Sequence, residues 1–180
     1  MYQCNKKCCY IEFGATPSYS THFHRNSRYK AGAFIYDPET NRVLLVQSHG
    51  QLWGPPKGTL EVDSSNRYET NCQCAIREVK EETGLDIRSD NFICATRIKN
   101  RAVYYYIERK WSEVHPQGGE FNDANGITWI KLECLEECIK TGQIVLSQHC
   151  KILFKRFLNQ TFGLPEFVKV VRKRKKFSFR

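Results

Sequence analysis

Three glutamates within a span of five residues, Glu78, Glu81 and Glu82, are the side chains of this sequence best suited to catalysis. They stand three and four positions apart, so in a helix their carboxylates share one face. Like charges so placed destabilise an isolated helix by roughly a few tenths of a kcal/mol per pair. A divalent cation removes the repulsion, and Mg²⁺ prefers hard oxygen ligands and contacts substrate phosphates. The spacing therefore indicates a magnesium site for phosphate chemistry; the alternative is a solvated charged surface.

A helix of about fifteen residues from Glu69 is predicted to carry these glutamates. Apolar residues recur in it at three- and four-residue spacing and predict one buried face: Cys72, Ala75, Ile76 and Val79. Gly84 follows at the position of a left-handed cap. Arg77 precedes Glu81 by four residues and is in reach to orient its carboxylate.

The surrounding segments predict strands and helices in an α/β fold with a mixed sheet. Ala31–Asp37 and Arg42–Gln47 flank a turn and predict a hairpin, whereas Ser48–Gly58 is predicted to be a loop because of its glycines and prolines. Three further segments are β-prone: Asn91–Ile98, Ala102–Glu108 and Gly126–Lys131. Two more are predicted to be helical: Leu132–Lys140 and Ser147–Phe162.

The acidic helix is part of a longer ordered pattern. Glu69 is followed, after seven residues, by Arg77-Glu78, and then by Val79, Glu81-Glu82, Gly84 and Leu85. This order resembles the signature of the Nudix hydrolases at every fixed position, and the preceding WGPPKG, Trp53–Gly58, resembles the entry to that signature. The resemblance covers roughly residues 30–160. One departure is the spacer of ten residues between Gly58 and Glu69, five more than in the family pattern.

The resemblance implies a Nudix-type α/β/α sandwich with a mixed β-sheet, and hydrolysis of a nucleoside diphosphate linked to another group. By position, Glu78, Glu82 and Glu81 would bind Mg²⁺, or Mn²⁺ in its place, with the backbone of Gly58 as a further ligand. Glu82 is also the first choice for the base that takes a proton from water. Arg77 and Glu69 would hold the loop and helix together by charge-assisted hydrogen bonds.

Candidate substrate contacts lie outside the signature. Lys57 is a candidate phosphate ligand, and Tyr104 and Tyr106 are candidates for stacking on a cap or base. Strand alternation points Tyr105 the other way, so at least one of the three tyrosines is expected in the core. Asp123 and Glu120, at the end of a polar loop, are candidates for a base outside the signature.

The net charge of +9 is concentrated at one end of the sequence. From Lys169 the chain reads KVVRKRKKFSFR, with seven basic and no acidic residues, which leaves 21 basic against 19 acidic residues elsewhere. Such a tail attracts polyanions, usually nucleic acid. The RNA-binding residues proposed within it are Lys169, Arg172, Lys173, Arg174, Lys175 and Lys176. We accordingly predict an irregular leader over residues 1–29, a Nudix domain over 30–162 and a basic tail over 163–180.

Several segments most resemble mRNA-decapping enzymes: WGPPKG, CAIREVKEETGLDI and GITWIKLECL. Capped RNA is therefore the expected substrate, and m7GDP and 5′-monophosphate RNA are the expected products. A diphosphoinositol-polyphosphate or dinucleoside-polyphosphate hydrolase is the alternative. A non-catalytic module that binds RNA or a nucleotide is a second alternative, which the intact carboxylates disfavour. We expect a cytoplasmic protein without a membrane segment. The basic tail could also serve as a signal for nuclear entry. The sequence does not indicate an oligomeric state.

Nine cysteines occur without a visible secretion signal. Four of them lie in apolar periodic segments: Cys72, Cys74, Cys94 and Cys150. This favours reduced, buried cysteine in an intracellular protein. Two other groups suggest structural zinc as the alternative: Cys4, Cys8 and Cys9 near His22 and His24, and Cys134 with Cys138. Neither group has the paired two-residue spacing of a common zinc module.

Overall fold

A computed structural model describes residues 2–13, 29–47, 51–112 and 124–162. The strands are β1 (Tyr2–Gln3), β2 (Tyr10–Phe13), β3 (Lys30–Asp37), β4 (Arg42–Gln47), β5 (Leu52–Gly54), β6 (Lys57–Thr59), β7 (Cys94–Ile98), β8 (Ala102–Glu108), β9 (Gly126–Lys131) and β10 (Val145–Leu146). The helices are α1 (Asn71–Thr83), α2 (Leu132–Lys140) and α3 (Gln148–Phe157), with a 3₁₀ turn at Ser89–Asn91. None of the helices within these ranges is long and apolar enough to cross a bilayer.

The strands form one mixed sheet in the order β1-β2-β9-β4-β3-β8-β7. β3 and β8 run parallel along seven residue pairs, from Lys30 opposite Ala102 to Tyr36 opposite Glu108. The other neighbours along this path are antiparallel. The short strands β6 and β5 pair with β3 and β4 respectively. The predicted mixed sheet is confirmed.

Apolar side chains cover both faces of the sheet. On one face Phe34 and Tyr104 pack with residues of α2 and α3, such as Leu135 and Phe154. On the other face a second core places Val79 of α1 against strand residues that include Ala33, Ile35 and Ile107. Because successive strand side chains alternate between faces, β3 serves both cores. The layers are helix, sheet and helix, as predicted.

The structure differs from the sequence-based prediction in its shortest elements. Within the predicted irregular leader, β1 and β2 are strands, and β2 pairs with β9. β5 and β6 lie within the predicted loop, and α3 ends five residues earlier than predicted. Strands of two to four residues are too short to show an alternating pattern, so only their pairing with longer strands defines them. The boundaries of leader, domain and tail stay a prediction.

The cysteines predicted to be buried occupy different environments. Cys74 and Cys150 are buried, as expected for small apolar side chains, and Cys72 is half-buried. Cys94 is exposed, because it begins β7 at the edge of the sheet. The prediction that Cys94 is buried, which was based on its apolar neighbours in sequence, was therefore wrong.

Candidate active site

Helix α1 has well-defined ends, and its acidic face is turned towards the protein. Thr70 caps the N-terminus by accepting a hydrogen bond from the Gln73 amide, and Gly84 closes the C-terminus with a φ of 72°. Glu78 and Glu82 are only 7% and 2% exposed as whole residues. These carboxylates therefore do not belong to a solvated charged surface. Since burying an uncompensated carboxylate is costly, the surrounding groups must stabilise both charges.

Strand β6 supplies part of that stabilisation. The backbone amide of Lys57 donates a hydrogen bond of 2.8 Å to Oε2 of Glu82. At the next residue, Gly58, a Cβ atom would overlap the carboxylate of Glu78. The absence of a side chain at Gly58 thus creates the space that Glu78 occupies. This close approach explains why a glycine precedes the acidic helix.

Arg77 forms hydrogen bonds with three carboxylates, those of Glu69, Glu78 and Glu81. Its Nη1 donates hydrogen bonds of 2.9 Å to Oε1 of Glu78 and 2.8 Å to Oε2 of Glu81. Its Nη2 donates at 2.6 Å to Oε1 of Glu69 and at 3.0 Å to the carbonyl oxygen of Thr59. Burial opposes the charge on Arg77, but these acidic partners outweigh it and raise the pKa of the guanidinium. The predicted structural role of Arg77 and Glu69 agrees with this geometry.

The long spacer between Gly58 and Glu69 forms a small hairpin. Val62 and Tyr68 form an isolated bridge, and the amide of Asp63 donates to the carbonyl of Arg67 at 2.9 Å. At the base of the hairpin, the Glu69 amide donates to the carbonyl of Glu61, and the Glu61 amide donates to Oε1 of Glu69, both at 2.9 Å. The extra residues therefore project outward, and Glu69 still reaches Arg77.

Two lysines influence or contact the carboxylates of α1, and the sequence had indicated only one of them, Lys57. Lys30 lies at the start of β3. Burial and the neighbouring Lys57 lower the pKa of Lys30, and the negative charges of Glu78 and Glu82 oppose that shift. Lys57, Lys99 and Lys30 also lower the pKa of His149, although burial is the larger cause. We call Lys30, Lys57, Lys99 and His149 the basic rim. No spacing rule links these four residues, because they belong to separate strands, a turn and helix α3.

The rings of Tyr104 and Tyr106 are buried, so the prediction that they stack on a substrate is corrected. Tyr104 is fully buried, and its hydroxyl lies 3.0 Å from Nδ1 of His149. Tyr106 packs against Phe34, and its hydroxyl donates to Glu108 at 2.9 Å. The expected alternation is confirmed, since Tyr105 lies on the opposite face, stacked on Phe92.

Two sets of predicted residues fall outside the described ranges. Asp123 and Glu120, the candidates for a base outside the signature, are one set. The other set is the basic tail, with Lys169, Arg172, Lys173, Arg174, Lys175 and Lys176. Their roles stay predictions.

The acidic group fits a hard divalent cation. Glu78, Glu81 and Glu82 offer carboxylate oxygens, the ligand type that Mg²⁺ and Mn²⁺ prefer. Two of these carboxylates already share one cation, the guanidinium of Arg77. Glu81 is the most accessible of the three, with 39% of its side chain exposed. Gly58 leaves the approach to Glu78 free of a side chain. These residues could therefore hold a metal ion where a negatively charged substrate would meet the basic rim.

Comparison with known proteins gives a consistent picture. The family model of the NUDIX domain matches residues 26–149. "Putative hydrolase 111R" of Invertebrate iridescent virus 3 is 31% identical over 157 residues, which is 82% of this chain and 88% of the viral protein. The m7GpppN-mRNA hydrolase dcap-2 of Caenorhabditis elegans is 47% identical over 58 residues, which is 31% of this chain but only 7% of that protein.

A solved structure supports the fold assignment. The bifunctional NMN adenylyltransferase/ADP ribose pyrophosphatase of Francisella tularensis, complexed with AMP and a manganese ion, superposes with a TM-score of 0.53 at 22% identity. The match covers 74% of this chain and 41% of the bacterial one. At this identity the likeness concerns the fold alone.

Proposed function

This chain belongs to the Nudix family of hydrolases, which cleave pyrophosphate bonds, and we propose that its substrate is the 5′ cap of RNA. The observation that carries the hydrolytic part of the proposal is the pair of buried carboxylates on α1, Glu78 and Glu82, the second of which accepts a hydrogen bond from the Lys57 amide. A pyrophosphate needs cations on both sides. Lysines can bind its outer oxygens while a metal ion neutralises the oxygens near the scissile bond.

Glu78, Glu82 and Glu81 are the proposed ligands of Mg²⁺, with Mn²⁺ as a substitute. When bound, the ion would neutralise the pyrophosphate and acidify a water molecule. Arg77 keeps Glu78 and Glu81 oriented from one side, and the amide of Lys57 fixes Glu82. Glu82 is the proposed base that accepts the proton of the attacking water. The backbone of Gly58 is a further proposed ligand.

Two observations favour capped RNA over a small nucleotide. The 58-residue match to the nematode mRNA hydrolase reaches 47% identity. In addition, the basic tail offers charge for a long polyanion, which supplies affinity independent of sequence. Cleavage at the phosphate next to the RNA would release m7GDP and leave a 5′-monophosphate. The proposed location is the cytoplasm.

A compact polyanion is the second candidate substrate. Three lysines of the basic rim around one histidine would suit an inositol pyrophosphate or a dinucleoside polyphosphate. A prenyl-diphosphate phosphatase of Methanosarcina mazei is also among the relatives of this chain, at 28% identity over 123 residues. A direct comparison of substrates is therefore the decisive experiment.

The protein and Mg²⁺ should be incubated with RNA labelled in the cap phosphate, at several RNA lengths. Diadenosine polyphosphate, inositol pyrophosphate and prenyl diphosphate are tested in parallel. We expect release of m7GDP, with longer RNA cleaved faster than isolated cap, because remote contacts hold the reacting phosphate in place. Uncut capped RNA alongside turnover of a small pyrophosphate would reject decapping and leave the family assignment intact. Binding of RNA without turnover of any substrate would instead indicate a non-catalytic module.

A further inference from the structure

Four cysteine side chains from distant parts of the chain converge beside β9. Sγ of Cys8 lies 3.7 Å from Sγ of Cys4, 3.7 Å from Sγ of Cys9 and 3.5 Å from Sγ of Cys134. All four sulfur atoms lie within 4.8 Å of one another. The candidate active site lies on α1 and β6 next to β3, and in the sheet β9 and β4 lie between β3 and the strand β2 that follows the cysteine turn. The cysteine group serves none of the roles described above.

The sulfur spacing matches a tetrahedral metal site. Zinc–sulfur bonds of about 2.3 Å at tetrahedral angles place neighbouring sulfurs about 3.8 Å apart. A disulfide would bring two of them to about 2.05 Å. The three separations from Sγ of Cys8, 3.5 to 3.7 Å, agree with the first geometry, the other sulfur pairs lie within 4.8 Å, and all nine cysteines are free thiols.

The backbone holds the ligands in this arrangement. Between β1 and β2 the chain turns at Cys4–Cys9, where the Lys7 amide donates to the Cys4 carbonyl at 2.8 Å and Lys7 adopts a φ of 54°. Asn5 donates to Glu137 at 2.5 Å. Lys6 also forms an ion pair of 3.4 Å with Glu133. These contacts fasten the turn to α2, the helix that carries the fourth cysteine.

A buried cation contacts one of the four sulfurs, and it also donates to the backbone carbonyls of Trp129 and Cys8. Arg42 is only 8% exposed, and its Nη1 donates to Sγ of Cys9 at 3.4 Å. The amide of Lys131 donates to the same sulfur at 3.3 Å. Within the part of the chain that the structure describes, no carboxylate forms an ion pair with Arg42, and its Nε lacks a hydrogen-bond partner. Nearby negative charge would further stabilise this buried guanidinium, and four thiolates around Zn²⁺ carry a net charge of about −2.

We propose that Cys4, Cys8, Cys9 and Cys134 bind one zinc ion. On binding, the four thiols release their protons to solvent and four Zn–S bonds form, so no oxidant or reductant is needed. With four protein ligands the site is closed to substrate and is structural. It would join the β1–β2 turn to the end of β9 and the start of α2. The proposal does not rest on the proposed substrate.

The test uses the full chain carrying Glu78→Gln and Glu82→Gln, so that ions in the candidate active site do not contribute. Purified under reducing conditions, the protein should contain about one zinc per chain by mass spectrometry of the elements. Replacement with Co²⁺ should give the intense visible bands of tetrahedral cobalt and a thiolate charge-transfer band. Cys4→Ser and Cys134→Ser should each lower the zinc content at least about tenfold.

Two matched variants serve as controls. Cys94→Ser changes an exposed cysteine, and Cys138→Ala changes a buried cysteine one helical turn beyond Cys134. Both should retain the ion. Zinc retained in the ligand variants would overturn the proposal, as would its loss from all variants alike.

If the ligand variants fail to fold, X-ray absorption on the chain that carries only Glu78→Gln and Glu82→Gln, with all nine cysteines present, provides a second test. Four sulfur neighbours at about 2.3 Å are expected. A shell of oxygen or nitrogen, or a protein that stays free of zinc with all its thiols reduced, would overturn it. Thiol titration after denaturation without reductant distinguishes the redox alternative: fewer than the nine thiols of the sequence would indicate a disulfide in this cluster and contradict a zinc site.

Discussion

The carboxylate of Glu78 occupies the space that a side chain on Gly58 would require. Gly58→Ala is therefore expected to displace Glu78 and lower kcat/KM by about 100-fold, since a misplacement of about 1 Å has effects of this size. Hydrolysis of a small pyrophosphate, with the melting temperature measured alongside, checks the expectation. Gly142→Ala is the control, because Gly142 has a φ of +75° but no atom within 4 Å of an added Cβ. It should cost roughly 1 kcal/mol and keep full activity. Equal activity losses in the two variants would contradict a role for Gly58 in placing Glu78.

Glu78→Gln and Glu82→Gln are each expected to reduce turnover on the order of 10²- to 10⁴-fold. The metal-free proteins should melt at the same temperature as the unsubstituted chain or slightly above it, because one charge leaves a repelling group. Glu136→Gln on the exposed side of α2 is the control. Activity within about threefold of the unsubstituted chain in both variants would show that α1 is not the metal site.

Lys30→Gln should raise KM for a pyrophosphate substrate about tenfold and leave kcat nearly unchanged, as expected for the loss of one charge-assisted contact. Burial and Lys57 lower the pKa of Lys30 below 10.5, the ordinary value for lysine. As the pH is increased, Lys30 should therefore lose its charge, and KM should start to rise, before pH 10.5 is reached. Lys30→Arg should shift this rise to higher pH, since arginine keeps its charge. Lys140→Gln, on α2, serves as the control. Unchanged KM in Lys30→Gln would exclude Lys30 from substrate binding.

Glu69 should make stability depend on pH. The guanidinium of Arg77 and the amide of Glu61 lower the pKa of Glu69 below its usual value of 4.5, although burial opposes the shift. A lowered folded-state pKa stabilises the protein above pH 4.5, and this contribution disappears as the pH falls through the folded-state value. Glu69→Gln should therefore lose about 1–3 kcal/mol at pH 7 and converge with the unsubstituted chain at low pH. Denaturant unfolding at several pH values measures this. A constant difference across the range would rule out the linkage.

The matched control is Glu61→Gln. Glu61 also lies near Arg77, at 3.6 Å, but 68% of its side chain is exposed. Its removal should change stability by no more than about 0.5 kcal/mol, because exposed ion pairs are screened by solvent. A loss as large as that of Glu69→Gln would mean that net charge, rather than the Glu69–Arg77 contact, is responsible.

Truncation after Val168 removes seven positive charges. RNA binding should become weaker and its salt dependence shallower, because fewer counterions are released. Hydrolysis of a free dinucleotide should hardly change. Fluorescence anisotropy with labelled RNA at several salt concentrations measures both quantities. An unchanged salt slope would exclude the tail as the RNA-binding element.

Local sequence predicted the acidic helix well because its determinants are local. The spacing of Glu78, Glu81 and Glu82 fixed their common face, and Gly84 adopts the left-handed cap conformation that its position indicated. The long strands β3, β4, β8 and β9 were also predictable, since each spans six residues or more with a continuous apolar or alternating pattern. These elements include the whole acidic part of the candidate site.

The sequence indicated Lys57 and two separate cysteine groups as a zinc alternative, but not the complete basic rim or the complete cysteine cluster, because both depend on contacts distant in sequence. Lys30 and His149 are 119 positions apart, and only the folded chain brings them near enough for the charge of Lys30 to influence His149. Cys8 and Cys134 are 126 positions apart, and zinc-module rules consider only short spacings. The prediction that Tyr104 and Tyr106 stack on a substrate was wrong for a related reason. Strand alternation gives the face of the sheet on which Tyr104 lies, but it does not show which other residues cover that face.

The hairpin after Gly58 separates the length of the spacer from the geometry of catalysis. The paired hydrogen bonds between Glu61 and Glu69 close its base, so its tip can lengthen, shorten or change composition while Arg77 keeps its partners. Tyr68, 64% exposed, stands on this projection at the margin of a cleft that Arg77 also lines. The hydrogen bonds that position Arg77 and Glu69 are thereby independent of the length and composition of the hairpin tip.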